Sequence, residues 1–217
     1  SQSLTGYQLA PERVEAGREF ASERGEAGQE LASHDAFAEA AELAELLGAA
    51  VYQSPVPYSA QFPTEHPACM GSFTRSQKQV RSLLEPHDLL FCLGADLLRM
   101  SVYSPTEPLP DNLPVIHLSE RGWELGKNYR TDLAVQANVK QTLAALLPLL
   151  RAKRPAGHAA NAERRLAELK PRNWSAQRDK ARIDAMLAAE TKPIDPKYLM
   201  LRFPETLPKD AVVVEEG

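Results

Sequence analysis

The run from Asp88 to Gly94 constrains the fold more than any other segment, because it is almost wholly apolar between its two ends. A continuous apolar run of this kind is typical of a parallel strand that is covered on both faces. Strands are also predicted at 50–52, 114–118 and 132–135, and helices at 37–47, 75–84 and 138–150. This alternation predicts an α/β fold with a parallel sheet flanked by helices.

Local signals set the expected ends of these elements. Asp35 is expected to cap the first helix, because its carboxylate can accept hydrogen bonds from the free amides of the first turn. Gly48 follows that helix where a helix usually stops. Segment 54–70 is rich in proline and aromatic residues and is predicted to be a loop, as is the proline-rich segment 101–113. Ligands of such a sheet usually lie beyond the carboxyl ends of its strands.

The composition changes after Leu150. We expect one unit over 1–150, in which 1–34 is polar and hard to interpret, followed by a basic, helical linker over 151–192. A last unit over 193–217 is predicted to contain a helix and then a strand at Ala211–Val214. A β-branched strand at this place has little sheet of its own to join, so we interpret it as the start of a further, truncated domain.

Composition excludes several classes of function. A net charge of −4 and 6% aromatic residues do not suit a nucleic-acid-binding surface. The chain has no apolar run near the roughly 20 residues that a membrane helix needs. Cys69 and Cys92 match neither a disulfide framework nor zinc spacing, and no His/Glu or His/Cys spacing suggests a metal site. A reducing, cytoplasmic location fits best.

Five segments resemble, in order and spacing, those of the central domain of thiamine diphosphate (ThDP) dependent enzymes. Phe62–Gly71 is similar to their FP-x-x-HP-x-x-x-G loop, and Asp88–Ala95 to their D-hydrophobic-GA strand. His117–Asn128 resembles I-D-x-D-x-x-E-I-G-x-N, and Asp132–Leu143 resembles D-L-A-V-x-x-D-V-K-x-x-L. Leu207–Glu216 is similar to the entry into the diphosphate-binding domain. The resemblance is strongest to benzoylformate decarboxylase-like enzymes, and next to acetolactate synthase-like enzymes.

The resemblance implies a Rossmann-like central domain of a 2-keto acid decarboxylase or carboligase that cannot perform the chemistry alone. It implies partner domains on both sides: an N-terminal pyrimidine-binding domain with an activating glutamate, and a C-terminal domain that binds the diphosphate through Mg²⁺. Family members are usually homodimers or homotetramers. Some branches bind FAD in the central domain, which we regard as the less favoured case here.

Two departures from the family pattern stand out. The family opens this domain with an apolar strand, whereas residues 23–28 are Glu-Arg-Gly-Glu-Ala-Gly, so the sheet is expected to be one strand short or irregular. Benzoylformate decarboxylase-like members carry a histidine in an R-aromatic-H segment, which matches Arg99, Met100 and Ser101 here. Serine does not titrate near pH 7 as histidine does, so a substrate other than benzoylformate is expected.

The candidate site residues follow from these segments. Ser101 and Arg99 are candidates for the wall of a substrate channel, although an arginine in a surface ion pair is equally compatible with the pattern. His66 is a candidate acid or base in its loop, but a turn-stabilising hydrogen bond is favoured. Gly94 and Ala95 end a strand, where small residues let amides approach a phosphate or flavin; plain turn chemistry is favoured there too.

Other residues carry weaker expectations. Glu215 and Glu216 could lie near the cleft of a complete enzyme. His117 is expected to be a core or edge residue of its strand, and Glu120 and Glu124 are expected to cap a short helix or to be solvated beside it. Two alternatives to the ThDP enzyme fragment stay open at this point. One is a stand-alone nucleotide- or flavin-binding module, and the other is a non-enzymatic interaction domain that binds a partner through 151–190.

Overall fold

The computed structural model describes residues 30–55, 61–100 and 103–213. Within these ranges the strands are β1 (Val51–Gln53), β2 (Cys69–Ser72), β3 (Leu90–Leu93), β4 (Val115–Ser119) and β5 (Leu133–Gln136). The helices are α1 (Glu30–Ser33), α2 (Phe37–Leu47), α3 (Gln77–Leu84), α4 (Val139–Lys153), α5 (His158–Leu169), α6 (Trp174–Leu187) and α7 (Pro196–Thr206).

All pairings among these strands are parallel, which confirms the predicted α/β class. They form two sheets rather than one: β1 pairs with β2, and β3, β4 and β5 form a second sheet in that order. The register of the second sheet places Cys92 beside His117, and His117 beside Ala134. Residues 23–28, where the family pattern places its first strand and where we expect the sheet to be one strand short or irregular, lie outside the described residues.

The apolar core lies on both faces of the three-stranded sheet. Phe91 and Leu93 of β3 pack with the cluster that includes Leu118 and α2 and α4. Their neighbours Leu90 and Cys92 point to the other face and pack against α3. This alternation is the period-2 pattern of a strand covered on both sides, and each fully buried large apolar side chain contributes about 2 kcal/mol.

Two expectations about the first half of the chain are wrong. Asp35 does not cap α2: it has φ 49°, and the N-cap is Ala36, which makes no side-chain capping bond. Segment 54–70 is not loop throughout, because β2 begins at Cys69. The sequence of β2 has no β-branched residue, so its extended form depends on pairing with β1 rather than on its own propensity.

The strand predicted at Ala211–Val214 is also wrong over its described part. Ala211, Val212 and Val213 belong to no strand, and the two valines are 87% and 64% exposed. No strand in the described part of the chain lies beside them, and a strand without a partner has no ladder of hydrogen bonds to hold it. Val214 lies outside the described residues.

The helices after Leu150 pack partly on the α/β unit. A Cβ added to Gly48, which ends α2 with φ 62°, would lie 2.7 Å from the backbone of Ala162 in α5. The ring of Trp174, at the start of α6, approaches Gly71 in β2 closely too, at 3.0 Å from such a Cβ. Both glycines therefore permit close contacts with these helices that any side chain would obstruct.

Candidate functional site

The carboxyl ends of β3 and β4 are joined by the side chain of Glu30, the first described residue. Its carboxylate accepts hydrogen bonds from Ser119 Oγ at 2.7 Å, from the backbone amide of Glu120 at 3.0 Å and from Arg121 Nε at 3.2 Å. Glu30 is only 7% exposed. A buried carboxylate with these three donors is well satisfied, so it holds the edge of the sheet in one arrangement.

Gly94 directly follows β3 and faces this carboxylate. Its φ is 55°, and a Cβ added there would lie 2.5 Å from the Cβ of Glu30. Both facts require glycine at this position. Because the carboxylate of Glu30 lies against the glycine, an anionic phosphate at this turn would meet a like charge.

Ala95 contributes its backbone carbonyl rather than a ligand-binding amide. The carbonyl accepts from His117 Nε2 at 2.9 Å and from Cys92 Sγ at 3.2 Å. His117 is fully buried, which confirms the expected core position, and burial lowers its pKa against the raising effect of this hydrogen bond. Burial likewise raises the pKa of Cys92 to about 12, so this thiol stays protonated and unreactive.

A pair of buried carboxyl groups lies next along the same edge. Asp96 is 8% exposed and Glu124 is 4% exposed, so the expectation that Glu124 is solvated is wrong. Burial, and then the hydrogen bond and charge of Asp96, raise the pKa of Glu124 to about 7. Each carboxyl has a cation nearby: Arg99 Nη1 lies 3.5 Å from Asp96, and Lys127 Nζ lies 3.9 Å from Glu124.

Arg99 and Lys127 both line an open cleft of about 510 Å³. Its other lining residues are Gln77, Leu98, Met100, Tyr103, Glu107, Asn128 and Tyr129. The side chain of Arg99 is 66% exposed and that of Lys127 is 50% exposed, so both cations remain accessible from the cleft while they pair with buried carboxyls. The cleft thus presents a guanidinium and an ammonium to solvent, together with the carboxylate of Glu107.

His66 lies in the turn before β2, at the other sheet, and is not part of this group. Its Nδ1 accepts from the amide of Ala68 at 3.1 Å, and its Nε2 donates to Glu45 at 3.3 Å. The Phe62 ring packs edge-on against the imidazole. These contacts stabilise the turn that leads into β2.

Three candidates, Ser101, Glu215 and Glu216, lie outside the described residues. The structure brings Gly94, Ala95 and Arg99 together at one edge, and it adds residues that sequence reasoning did not select. Glu30 gave no usable signal, since it lies in a polar segment far from its partners in the chain. Asp96 and Glu124 carried one signal: each lies within or directly beside a segment that resembles the family.

The described residues offer no metal site. Among residues 30–55, 61–100 and 103–213, no group of three or more His, Cys, Asp or Glu side chains could hold a metal ion. The donors present here therefore do not fit a diphosphate held through Mg²⁺, and no step through that group can be assigned to them.

No helix in the described ranges is long and apolar enough to cross a bilayer.

A family model described as "Thiamine pyrophosphate enzyme, central domain" matches residues 27–146, which is more than half of the chain. Benzoylformate decarboxylase of Pseudomonas aeruginosa is 26% identical over 178 residues, covering 82% of this chain and 30% of that protein. The large subunit of acetolactate synthase isozyme 1 of Escherichia coli is 33% identical over 92 residues, covering 42% of this chain and 16% of that protein.

Solved structures of thiamine diphosphate-dependent enzymes are also similar to this chain. A thiamine diphosphate-dependent 4-hydroxybenzoylformate decarboxylase of Rhodococcus jostii RHA1 superposes with a TM-score of 0.52 at 32% identity. The superposition covers 56% of this chain and 23% of that one. The chain thus spans less than a third of the length of the curated relatives that it matches.

Proposed function

The chain belongs to the family of thiamine pyrophosphate enzyme central domains, and from this we propose that it is the middle part of a longer ThDP-dependent 2-keto acid decarboxylase or carboligase. The match over residues 27–146 carries the proposal, and benzoylformate decarboxylase over 82% of the chain supports it. On this proposal the chain supplies scaffold and a wall of the substrate channel, and it is inactive alone.

The channel wall is proposed to be the cleft beside Arg99 and Lys127. A 2-keto acid carries a carboxylate, and two accessible cations at one cleft can orient that group. Ser101 follows Arg99 and Met100 at the position of the family histidine, which supports a 2-keto acid other than benzoylformate. The buried Asp96 and Glu124 would fix the two cations from behind.

The proposed partner domains are the pyrimidine-binding domain before this chain and the diphosphate-binding domain after it. Exposed apolar side chains on the last two helices and their connection support a docking surface for further protein: Ile183, Met186, Leu187, Ile194, Leu199 and Met200. We place residues 1–150 in the central domain, 151–192 in the linker and 193–217 at the start of the next domain. A homo-oligomer in the cytoplasm completes the proposal.

In such an enzyme ThDP, held through Mg²⁺, supplies the electron sink for the carbanion that decarboxylation leaves. The residues described here would orient the substrate and exclude water from the channel. Glu215 and Glu216 are proposed to approach the cofactor cleft in the complete protein. FAD is not included, because Glu30 presents a negative charge beside Gly94, where a flavin diphosphate would need amides.

The alternative of a stand-alone nucleotide- or flavin-binding module is not favoured by the family match. The interaction-domain hypothesis has no contact of its own to support it. The helices over 158–187 contact the α/β unit through Gly48 and Gly71, and we assign the exposed apolar side chains of α6 to contacts with the following domain of the same protein.

The proposal is tested by sequencing the gene on both sides of these codons and expressing the complete reading frame. A downstream GDG…N-N segment and turnover of 2-keto acids that requires ThDP and Mg²⁺ are expected. The 217-residue chain, assayed in parallel, is expected to bind neither and to give no turnover. Tight binding of ThDP and Mg²⁺ by this chain alone, or a complete reading frame without those domains, would count against the proposal.

A further inference from the structure

Behind the cleft lie Asp96 and Glu124, two buried carboxyl groups that contact each other. Their side chains are within hydrogen-bond reach, and only 8% of Asp96 and 4% of Glu124 is exposed. Two ionised carboxylates have no hydrogen between them and repel each other, and burial excludes the water that would weaken this repulsion. A single proton between the two groups replaces the repulsion with a hydrogen bond, so the pair favours one negative charge over two.

The contacts of Asp96 indicate where this proton is needed. Its Oδ2 is paired with Arg99 Nη1 at 3.5 Å, whereas its Oδ1 is buried and no N–H group of the described residues donates to it. Buried acceptors are seldom left without a donor. Glu124 contacts Asp96 and becomes a donor when it is protonated, so its hydroxyl can satisfy this acceptor.

Two cations from the turn after β4 act on Glu124. Lys127 Nζ lies 3.9 Å from Glu124 Oε2, and the charge of Arg121 also favours the ionised carboxylate. Arg121 is already paired with another buried carboxylate, because its Nε lies 3.2 Å from Glu30 Oε1. Lys127 is therefore the cation of this turn whose partner changes when Glu124 gains or loses its proton.

Two further titratable groups lie near Asp96, and neither carries a charge at neutral pH. Burial lowers the pKa of His117 on β4, although the charge of Asp96 raises it. Burial raises the pKa of Cys92 on β3 to about 12. A neutral imidazole and a neutral thiol add no charge to the pair, so its ionisation is balanced by Arg99 and Lys127.

The proton of the pair decides the sign of the charge around the cleft. Arg99 and Lys127 line the cleft as cations, and Glu107 lines it as a carboxylate. Asp96 adds one negative charge behind Arg99, so these four groups are neutral in sum. Ionisation of Glu124 leaves one negative charge in excess, and a carboxylate that enters the cleft is then repelled.

We propose that Asp96 and Glu124 are positioning residues that share one proton, and that this proton keeps the two cations of the cleft available to the carboxylate of a 2-keto acid. The identity of this ligand rests on the proposed function. While Glu124 is protonated, Lys127 has no ionised partner behind it, and the Trp123 ring, 4.4 Å from Nζ, holds the ammonium at this edge. When the proton leaves, Lys127 pairs with Glu124 instead, and the ligand loses this contact.

Steady-state kinetics of the complete protein with pyruvate, the smallest 2-keto acid, test the proposal. KM of the wild type is expected to rise about tenfold between about pH 6 and pH 8, because one negative charge appears beside the cleft. Glu124→Gln keeps the side chain neutral, so its KM should stay at the low value up to about pH 8. Glu107→Gln is the matched control: it removes another carboxylate of the same cleft, and it should lower KM at every pH but retain the tenfold rise.

Titration of the 217-residue chain, followed by the ¹³C shift of the Glu124 carboxyl carbon, tests the shared proton without turnover. The midpoint is expected at about pH 7, and Asp96→Asn should lower it, because that variant removes the neighbouring charge. Saturating pyruvate at constant ionic strength should raise the midpoint by about one pH unit. A ligand that binds the protonated form about tenfold more tightly must favour protonation to the same extent.

The outcomes separate this proposal from the proposed function. A midpoint below about pH 5.5, a midpoint that pyruvate leaves unchanged, or a rise in KM that survives Glu124→Gln overturns the shared proton. The titration with pyruvate uses the wild-type chain, so it decides the question even where a substitution prevents folding. The expected midpoint and its shift by pyruvate, in a complete protein that turns over no 2-keto acid, would support the shared proton and contradict the proposed function alone.

Discussion

Ser119 Oγ donates a 2.7 Å hydrogen bond to Glu30 Oε1 across 89 positions of the sequence. This contact joins the start of α1 to the end of β4, and Arg121 Nε reaches the same carboxylate oxygen at 3.2 Å. A carboxylate at 7% exposure needs such donors, so this arrangement fixes the edge of the sheet on which the proposed channel depends.

Ser119→Ala should lower the free energy of unfolding by about 1.5–3 kcal/mol, because it removes a hydrogen bond to a buried charge. Urea denaturation of the variant measures this loss. Ser82→Ala is the control, since that exposed hydroxyl only contacts the Lys78 carbonyl of its own helix, and its effect should stay within about 0.5 kcal/mol. Equal effects of the two substitutions would contradict a structural role for the Glu30–Ser119 contact.

Gly94→Ala should destabilise the protein more than Gly157→Ala does. Both glycines have positive φ, 55° and 82°, so each substitution costs about 1–2 kcal/mol in backbone strain. Only at Gly94 would the new Cβ collide with another residue, Glu30, whereas at Gly157 nothing lies within 4 Å. The difference in Tm between the two variants measures the effect of the contact with Glu30. Identical Tm values would show that Glu30 moves aside without loss of stability.

The sequence predicted those elements whose pattern is local. β3 was expected because its residues are apolar without interruption, and α4 because its apolar residues recur at helical spacing. β2 was missed because its extended form comes from pairing with β1. The bounds of α2 agree with the prediction, but its cap does not: Asp35 has a side chain that can cap a helix, yet its φ is positive and the N-cap is the next residue, Ala36.

The sequence selected candidate residues but did not reveal the chemistry around them. The rule that ligands bind beyond strand ends selected Gly94 and Ala95, the family resemblance selected Arg99, and their role in a site stays a prediction. Burial of Asp96 and Glu124 was not predictable, since it arises where β3 and the turn after β4 meet in space. The pKa of about 7 at Glu124 depends on burial and on the neighbouring Asp96, so no sequence pattern reveals it.

Stability should fall as the pH rises from about 4.5 to 7 through the contribution of Glu124. Its pKa is raised from 4.5 to about 7 in the folded protein, mainly by burial, so the folded state retains a proton that the unfolded chain loses. The loss should amount to about 1–3 kcal/mol and be complete by about pH 8, one unit above the folded pKa.

Tm measured against pH for the wild type and Glu124→Gln tests this contribution, because glutamine mimics the protonated acid and does not titrate. His117 acts in the opposite direction: its lowered pKa makes stability rise with pH. The difference between wild type and variant removes the His117 effect. A difference that stays constant between about pH 4.5 and 8 would show that Glu124 ionises normally.

His66→Ala should reduce the free energy of unfolding by about 1–2 kcal/mol, because the Ala68 amide loses its acceptor. His66→Asn, whose side-chain oxygen can accept the same hydrogen bond, should recover part of that loss. In the full-length enzyme that we propose, kcat should stay unchanged in both variants. A fall in kcat of about 100-fold in both, with no rescue by asparagine, would instead assign acid–base catalysis to His66.

On the proposed function, Arg99→Ala in the complete protein should raise KM for a 2-keto acid about tenfold and leave kcat within about twofold. The guanidinium lines the cleft and is two-thirds exposed, so it can contact the substrate carboxylate in the ground state and the transition state alike. It also lies 3.5 Å from the buried carboxylate of Asp96, so Tm should fall slightly. Arg164→Ala is the matched control, because that arginine forms an exposed pair with Glu168 on α5, away from the cleft. Steady-state kinetics of both variants test whether Arg99 contacts the substrate. An unchanged KM in Arg99→Ala would show that Arg99 does not contact it and only pairs with Asp96.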